Sequence, residues 1–214
     1  MSRLIDAGLE QLMSMVYDMG ELAHQAVSLA LKSYIEGKNA QAKVKELSDA
    51  LVLMSDEAES KAFELIARYQ PVASDLRVLR SYTKITYDLV RYGRYALDVS
   101  HIYDKIDGIE ECEIWIGKYV SEASEKVLEM VRTSVELLRS NDVKMAESLS
   151  KAEEEVDKMY AKFLNELIDK ATVTKKCTIS SLLVMRYLER IADHAAYIGE
   201  SIVYLVTAQK VTLR

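Results

Sequence analysis

Residues that break or turn a polypeptide chain are scarce in this sequence. Its 214 residues include one Pro and seven Gly. A sandwich or barrel of many short strands needs turn signals about every 8–12 residues. Apolar residues instead recur with helical spacing in six long segments, separated by breaks near residues 37–39, 70–74, 107–108, 139–142 and 171–176. The sequence therefore predicts an all-α protein.

The predicted helices are too long to be stable on their own. Each spans about 30 residues, or about 45 Å at 1.5 Å per residue, and needs neighbours that bury its apolar stripe. Short connections favour antiparallel neighbours. The order of a long helix, a turn with Asn and two further helices occurs twice, with Asn39 and Asn141 at corresponding turns. We predict six long antiparallel helices in two tandem three-helix bundles, residues 1–106 and 107–214.

Short motifs predict where two of these helices begin. The segment Asp107-Gly-Ile-Glu110 has the spacing of a capping box, which predicts the start of the fourth helix. Pro71 predicts the end of the second helix, and either Ser74 or Asp75 is suited to cap the third.

Charge and cysteine content narrow the functional class. The formal net charge is −6 and the pI is about 5.3, which argues against nucleic acid as a partner and against a lipid anchor. No uncharged run exceeds about ten residues, and Asp6 precedes any apolar signal region, so we expect a cytoplasmic protein. Cys112 and Cys177 lie far apart and outside any Cys-x-x-Cys motif, and we expect both to be reduced.

Two pairs of acidic residues border the predicted apolar stripes of the last two helices. Glu153 and Asp157 lie one turn apart on the fifth helix, as Glu189 and Asp193 do on the sixth. Like charges at this spacing repel, and four converging carboxylates suit a hard cation such as Mg, Mn, Ca or iron. An acidic face in contact with solvent is the commoner meaning of such spacing. His194 is expected to lie at a hydrogen-bonded polar edge.

Other residues that could carry chemistry form no catalytic pattern. The sequence has three His, no arrangement suggesting a Ser/His/Asp triad and no glycine-rich phosphate loop. Glu21 and His24 match the Glu-x-x-His element of di-iron proteins, which requires a second copy that is absent here. Five tyrosines crowd the third helix, where we expect them in the core or at the seam between bundles: Tyr82, Tyr87, Tyr92, Tyr95 and Tyr103.

The segment Gln70-Pro-Val-Ala-Ser-Asp-Leu-Arg77 closely resembles the signature of the PhoU family of phosphate-uptake regulators. Leu188-Glu-Arg-Ile-Ala-Asp-His-Ala195 is similar to the closing helix of that family. The resemblance implies two three-helix bundles and a cytoplasmic regulator that contacts the ATPase subunit of the phosphate-specific ABC transporter and, in many bacteria, a sensor kinase. We expect a homodimer that reaches the membrane only through its partners. The signature-loop residues are Gln70, Pro71, Asp75 and Arg77.

The resemblance also implies a metal site, because PhoU proteins carry an acidic E(D)xxxD element on two helices of each repeat. In the second repeat the elements are Glu153–Asp157 and Glu189–Asp193. The corresponding first-repeat positions hold no carboxylate and are Ser48, Val52, Val90 and Arg94. We therefore expect one metal site, in the second repeat, with iron or zinc favoured by the resemblance.

Three functions remain open at this point. The first is a non-enzymatic regulator of phosphate uptake and phosphate-starvation signalling that acts through protein contacts. The second is a carboxylate-bridged metalloenzyme or iron-handling protein built on the acidic residues. The third is a helical scaffold that dimerises through an apolar edge.

Overall fold

The computed structural model of the chain describes residues 4–109, 112–170 and 175–213. These residues form six α-helices and no strand, which confirms the predicted all-α class. None of the described helices is both long and apolar enough to cross a lipid bilayer. The helices are α1 (Asp6–Glu36), α2 (Gln41–Tyr69), α3 (Ser74–Ile106), α4 (Ile114–Ser140), α5 (Val143–Asp169) and α6 (Lys175–Thr207).

The six helices form two groups of three that meet along a seam. Helices α1, α2 and α3 pack on one another, and so do α4, α5 and α6. The seam consists of α3 packed against α6 and α1 packed against α4. Among the described helices, α2 and α5 contact only their own group and lie on the outside. The tandem three-helix arrangement is confirmed, and the boundary between residues 106 and 107 stays a prediction.

Three helices end where the sequence predicts a break. Gly37 follows α1 with φ of 67°, a left-handed conformation that glycine adopts without steric cost. Gln70 and Asn141 close α2 and α4 in the same conformation, with φ of 48° and 49°. Asp142 caps α5, because its side chain accepts hydrogen bonds from the backbone N–H groups of Lys144 at 2.8 Å and Met145 at 3.3 Å.

The predicted cap of α3 and the predicted start of α4 are wrong. Helix α4 begins at Ile114, whereas Asp107 closes α3 and Glu110 lies outside the described residues. Tertiary contacts hold the segment after α3: the Ser180 hydroxyl donates to the Asp107 carbonyl at 3.0 Å. Ala73 precedes α3, so Ser74 is already its first helical residue.

The expectation that both cysteines are reduced is also wrong. Cys112, just before α4, forms a disulfide with Cys177 in the first turn of α6, with their Cα atoms 5.5 Å apart. Their separation along the sequence gives no indication of this pairing. The fold brings the first turn of α6 next to the segment that leads into α4, which makes the bond geometrically accessible.

Tyrosine hydroxyls bridge the seam between the two groups. Tyr82 on α3 donates to the carbonyl of Leu138 at 3.1 Å. Tyr92 shares a hydrogen bond of 3.0 Å with Ser134. Both tyrosines are fully buried, which confirms their predicted place at the core and seam, whereas Tyr87 is 55% exposed. The seam therefore has polar contacts within an apolar interface.

Candidate functional site

The four predicted metal-binding carboxylates lie on α5 and α6, which pack against each other. On α5, Glu153 is buried and Asp157, one turn later, is exposed. On α6, Asp193 is buried and Glu189 is partly buried. Helical spacing accounts for this placement, because residues four apart share one face of a helix.

Burial and neighbouring acids destabilise the charged form of Glu189. Burial is the largest cause of the raised pKa of its carboxyl group, and the negative charges of Asp193 and Asp157 raise it further. The Glu189 Oε2 atom is buried and has no hydrogen-bond partner among the described residues. Two of the other three predicted carboxylates thus act electrostatically on Glu189.

Two arginines on α6 offset part of this negative charge. Arg186 forms an ion pair with Glu189, and Arg190 donates to Asp193 Oδ2 at 3.0 Å. Arg190 also approaches the Tyr95 hydroxyl across the seam, at 3.4 Å. Neither pairing was predicted from the sequence, although each pair has the i,i+3 spacing that brings side chains together on a helix.

The residue types in this cluster suit a metal ion, but their arrangement does not form a metal site. Carboxylate oxygens are ligands for hard cations, and Oε2 of Glu189, which has no hydrogen-bond partner among the described residues, is available as a metal ligand. Within the described ranges, however, no three His, Cys, Asp or Glu side chains are grouped as a metal centre requires. Glu153, Asp157, Glu189 and Asp193 are the residues that would hold a cation here, and arginines pair with two of them, Glu189 and Asp193.

His194 lies in the seam and not at the polar edge that its sequence position suggests. Its Nδ1 atom is 2.8 Å from Oδ1 of Asp88 on α3, and both side chains are buried. The rings of Tyr95 and Tyr197 flank the imidazole, with centroids 5.7 Å and 5.3 Å away. Asp88 and His194 join the two bundles, and sequence reasoning had no signal for this long-range pair.

The first repeat has a different local arrangement at the corresponding positions. Ser48 is buried, and its hydroxyl has no partner within the described part of the chain. Arg94 on α3 makes an ion pair of 3.7 Å with Asp49 on α2. A cation replaces a carboxylate at one of the four positions, so this face offers no ligand set equivalent to that of the second repeat.

The signature loop lies between α2 and α3, away from the acidic cluster. The Gln70 N–H donates to the Ile66 carbonyl at 3.0 Å and ends α2 just before Pro71. In the first turn of α3, next to Asp75, Arg77 has a buried Nε without a hydrogen-bond partner among the described residues. At 1.5 Å per residue, Arg77 lies about 16 Å along α3 from Asp88, which contacts α6. The loop therefore shapes the end of the bundle and not the acidic cluster.

A protein-family model described as the PhoU domain matches residues 16–102 and 120–202. The chain belongs to the PhoU family. The two matched stretches cover most of α1–α3 and most of α4–α6, so each three-helix group corresponds to one domain match.

Relatives with similar sequences are named as accessory proteins of a transport system. The chain is 30% identical to a phosphate-specific transport system accessory protein PhoU homolog of Clostridium acetobutylicum, over 99% of this chain and 98% of that protein. It is 31% identical to the PhoU homolog of Pseudomonas aeruginosa, over 96% and 86%. Phosphate-transport accessory proteins are therefore its relatives along nearly the whole chain.

Solved structures agree with the fold. The crystal structure of PhoU from Pseudomonas aeruginosa matches with a TM-score of 0.89 and 28% identity, covering 96% of this chain and all of that one. The PhoU structure from Streptococcus pneumoniae matches with a TM-score of 0.87 at 23% identity, which supports the fold alone.

Proposed function

We propose that this chain is a non-enzymatic, cytoplasmic regulator of phosphate uptake and phosphate-starvation signalling. The observation that carries the proposal is the pair of PhoU domain matches, together with full-length relatives named as phosphate-transport accessory proteins. The partners are the ATPase subunit of the phosphate-specific ABC transporter and, in hosts that have one, a sensor kinase. A protein that binds one transporter state more tightly than another shifts the population towards that state without catalysing a reaction.

An exposed apolar groove next to the signature loop supports a function based on protein contacts. Phe63, Ile66 and Leu76 line it and are 65%, 37% and 45% exposed. Exposed apolar patches on a folded protein mark interaction sites more often than isolated apolar residues do. Arg80 and Lys84 also line the groove. We assign this groove to the transporter ATPase, through a segment that combines apolar with acidic side chains.

Co-purification with the transporter ATPase in its nucleotide-free and ATP-bound states tests the proposal. We expect association that depends on the nucleotide state and falls at least tenfold on Phe63→Ser/Leu76→Ser. Leu53→Ser is the matched control, because Leu53 is also on α2 and 65% exposed but does not line the groove. Absence of association in both states contradicts the regulatory proposal. An equal loss of association in Leu53→Ser contradicts only the assignment of the groove to the ATPase.

We also propose that the chain is a homodimer, and light scattering of the purified protein tests this.

We also propose one metal site in the second repeat, held by Glu153, Asp157, Glu189 and Asp193. The unpartnered Glu189 Oε2 and the repulsion of Glu189 by the charges of Asp193 and Asp157 support it. A bound cation stabilises the carboxylates in their charged forms and takes over the role of Arg186. Iron or zinc is the first candidate, and the first repeat contributes no metal.

Elemental analysis of the purified chain tests this site. We expect iron or zinc in the parent protein and loss of that metal in Glu189→Gln/Asp193→Asn, a pair of substitutions that keeps side-chain size. Arg186→Gln should raise metal occupancy, because it removes the cation that competes for Glu189. Metal retained in the double variant, or lost on Ser48→Ala in the first repeat, contradicts the assignment.

A further inference from the structure

A cavity separate from the acidic cluster lies between α3, the last turns of α6 and the segment that follows α6. Its volume is about 190 Å³. The C-terminal segment is folded back over α6, because the Leu213 N–H donates to Glu200 Oε1 at 3.1 Å. The lining residues are Arg80, Ser81, Lys84, Glu200, Ser201, Tyr204, Lys210 and Val211.

Positive charge dominates the lining. Arg80, Lys84 and Lys210 carry three cations, and Glu200 carries the only carboxylate among the lining residues. Glu200 lies 3.8 Å from Lys84 Nζ and so balances one cation. The Arg80 guanidinium lies over the Tyr204 ring, 4.7 Å from its centroid, and makes no ion pair in the described part of the chain. The cavity therefore has an excess of two positive charges in a protein whose net charge is −6.

A buried hydroxyl that lacks a partner gives a second, independent indication of a ligand. Ser81 is only 2% exposed, and its Oγ atom has no hydrogen-bond partner among the described residues. The other serine in the lining, Ser201, already donates to the Tyr197 carbonyl at 2.9 Å. A buried donor without an acceptor costs about 1–3 kcal/mol, and an oxygen of a bound anion removes that cost.

We infer that this cavity binds a compact tetrahedral oxyanion, such as inorganic phosphate. Lysine and arginine side chains make charge-assisted hydrogen bonds to phosphate oxygens, and Ser81 supplies a neutral donor from the buried side. Cavities that hold drug-sized ligands or cofactors are typically about 300–1,000 Å³, so the volume favours a small ion over a nucleotide. A water molecule needs only about 10–15 Å³ of such cavity volume, so this cavity has room for a small ion and several water molecules. This site does not depend on the proposed regulatory role.

Calorimetric titration of the purified chain with sodium phosphate tests the inference, with sodium chloride at matched ionic strength as the blank. We expect saturable binding that weakens at least tenfold in Arg80→Gln/Lys84→Gln and several-fold in Ser81→Ala. Lys105→Gln is the matched control, because Lys105 lies in the last turn of α3, at the other end of the helix. Glycerol 3-phosphate, titrated in parallel, distinguishes the free ion from a phosphoryl group on a larger molecule.

A further variant is expected to bind phosphate more tightly than the parent protein. Glu200→Gln removes the carboxylate that competes for Lys84 and keeps a carbonyl that can accept from Leu213, so phosphate affinity should rise about threefold or more. Failure of phosphate and of glycerol 3-phosphate to bind the parent protein overturns the inference. Equal phosphate affinity of Arg80→Gln/Lys84→Gln and Lys105→Gln also overturns the inference. So does weaker phosphate binding by Glu200→Gln, provided that circular dichroism shows an intact fold.

Discussion

The Asp88–His194 contact places a buried carboxyl group and a buried imidazole together in the seam, alongside the tyrosine hydrogen bonds. Burial is the main cause of the raised pKa of Asp88, and the His194 ring opposes that shift. Loss of one partner leaves the other buried without its main hydrogen bond. We predict that Asp88→Ala lowers the free energy of unfolding by about 3 kcal/mol, measured by urea denaturation.

The control for this prediction is Asp56→Ala, which removes an exposed carboxylate on α2. Exposed substitutions of this kind change stability by about 0.5 kcal/mol or less. Similar losses in Asp88→Ala and Asp56→Ala would show that the buried pair contributes nothing specific to the seam.

At the scale of single residues, sequence reasoning identified which carboxylates share a helical face but not which cations oppose them. The spacing of Glu189 and Asp193 follows directly from the helical period. Asp88 and His194 are far apart in the chain, so their contact depends on the crossing of α3 and α6, which no local pattern encodes. The cavity lined by Arg80, Lys84 and Lys210 was not predicted either, because it also depends on how distant parts of the chain pack together.

At the scale of the helices, the disulfide fixes the point at which the chain enters the second bundle. The Cys112–Cys177 bond joins the segment before α4 to the first turn of α6 and closes a loop with a sequence separation of 65. Cross-links of this kind restrict the unfolded chain. We predict that Cys112→Ser/Cys177→Ser lowers the free energy of unfolding by about 2–4 kcal/mol, as measured by urea denaturation under non-reducing conditions.

Dithiothreitol provides the control for the disulfide prediction. The reductant should lower the stability of the parent protein to that of the Cys112→Ser/Cys177→Ser variant and leave the variant unchanged. If mass spectrometry of the untreated parent finds two free thiols, the cross-link is absent and the prediction fails.

The sequence predicts helix ends where the last position takes a left-handed backbone conformation that few residue types adopt easily. Gly37 and Asn141 adopt left-handed conformations, which these residue types tolerate better than most. The link between α3 and α4 was not predictable, because its described residues contact Ser180 and Cys177, both on α6. A capping pattern competes poorly with such tertiary contacts.

At the scale of the whole molecule, buried tyrosines couple the packing of the bundles to pH. Burial raises the pKa of Tyr34 and of Tyr82 to about 12, whereas an unfolded chain releases these protons near pH 10. The folded state therefore keeps protons that the unfolded state loses, and the stability from each group falls as pH rises from about 10 to about 12. We predict a loss of about 1.4 kcal/mol per pH unit per tyrosine in that window, measured by urea denaturation.

The control for this pH dependence is Tyr87→Phe, which removes an exposed hydroxyl on α3 and should leave the slope of stability against pH unchanged. Tyr34→Phe/Tyr82→Phe should make the slope shallower. An unchanged slope in the double variant would mean that other groups cause the alkaline loss of stability.

The oxyanion cavity and the apolar groove share Arg80 and Lys84, so a ligand at one site changes the charge presented at the other. Binding free energies at two linked sites are reciprocal. A phosphate ion neutralises the cations to which we assign an acidic segment of the transporter ATPase, so phosphate should weaken the proposed binding of that subunit. We predict a threefold or greater loss of affinity in saturating phosphate relative to chloride at equal ionic strength, and no phosphate effect in Arg80→Gln/Lys84→Gln. The same phosphate effect in parent and double variant would place the coupling elsewhere in the molecule.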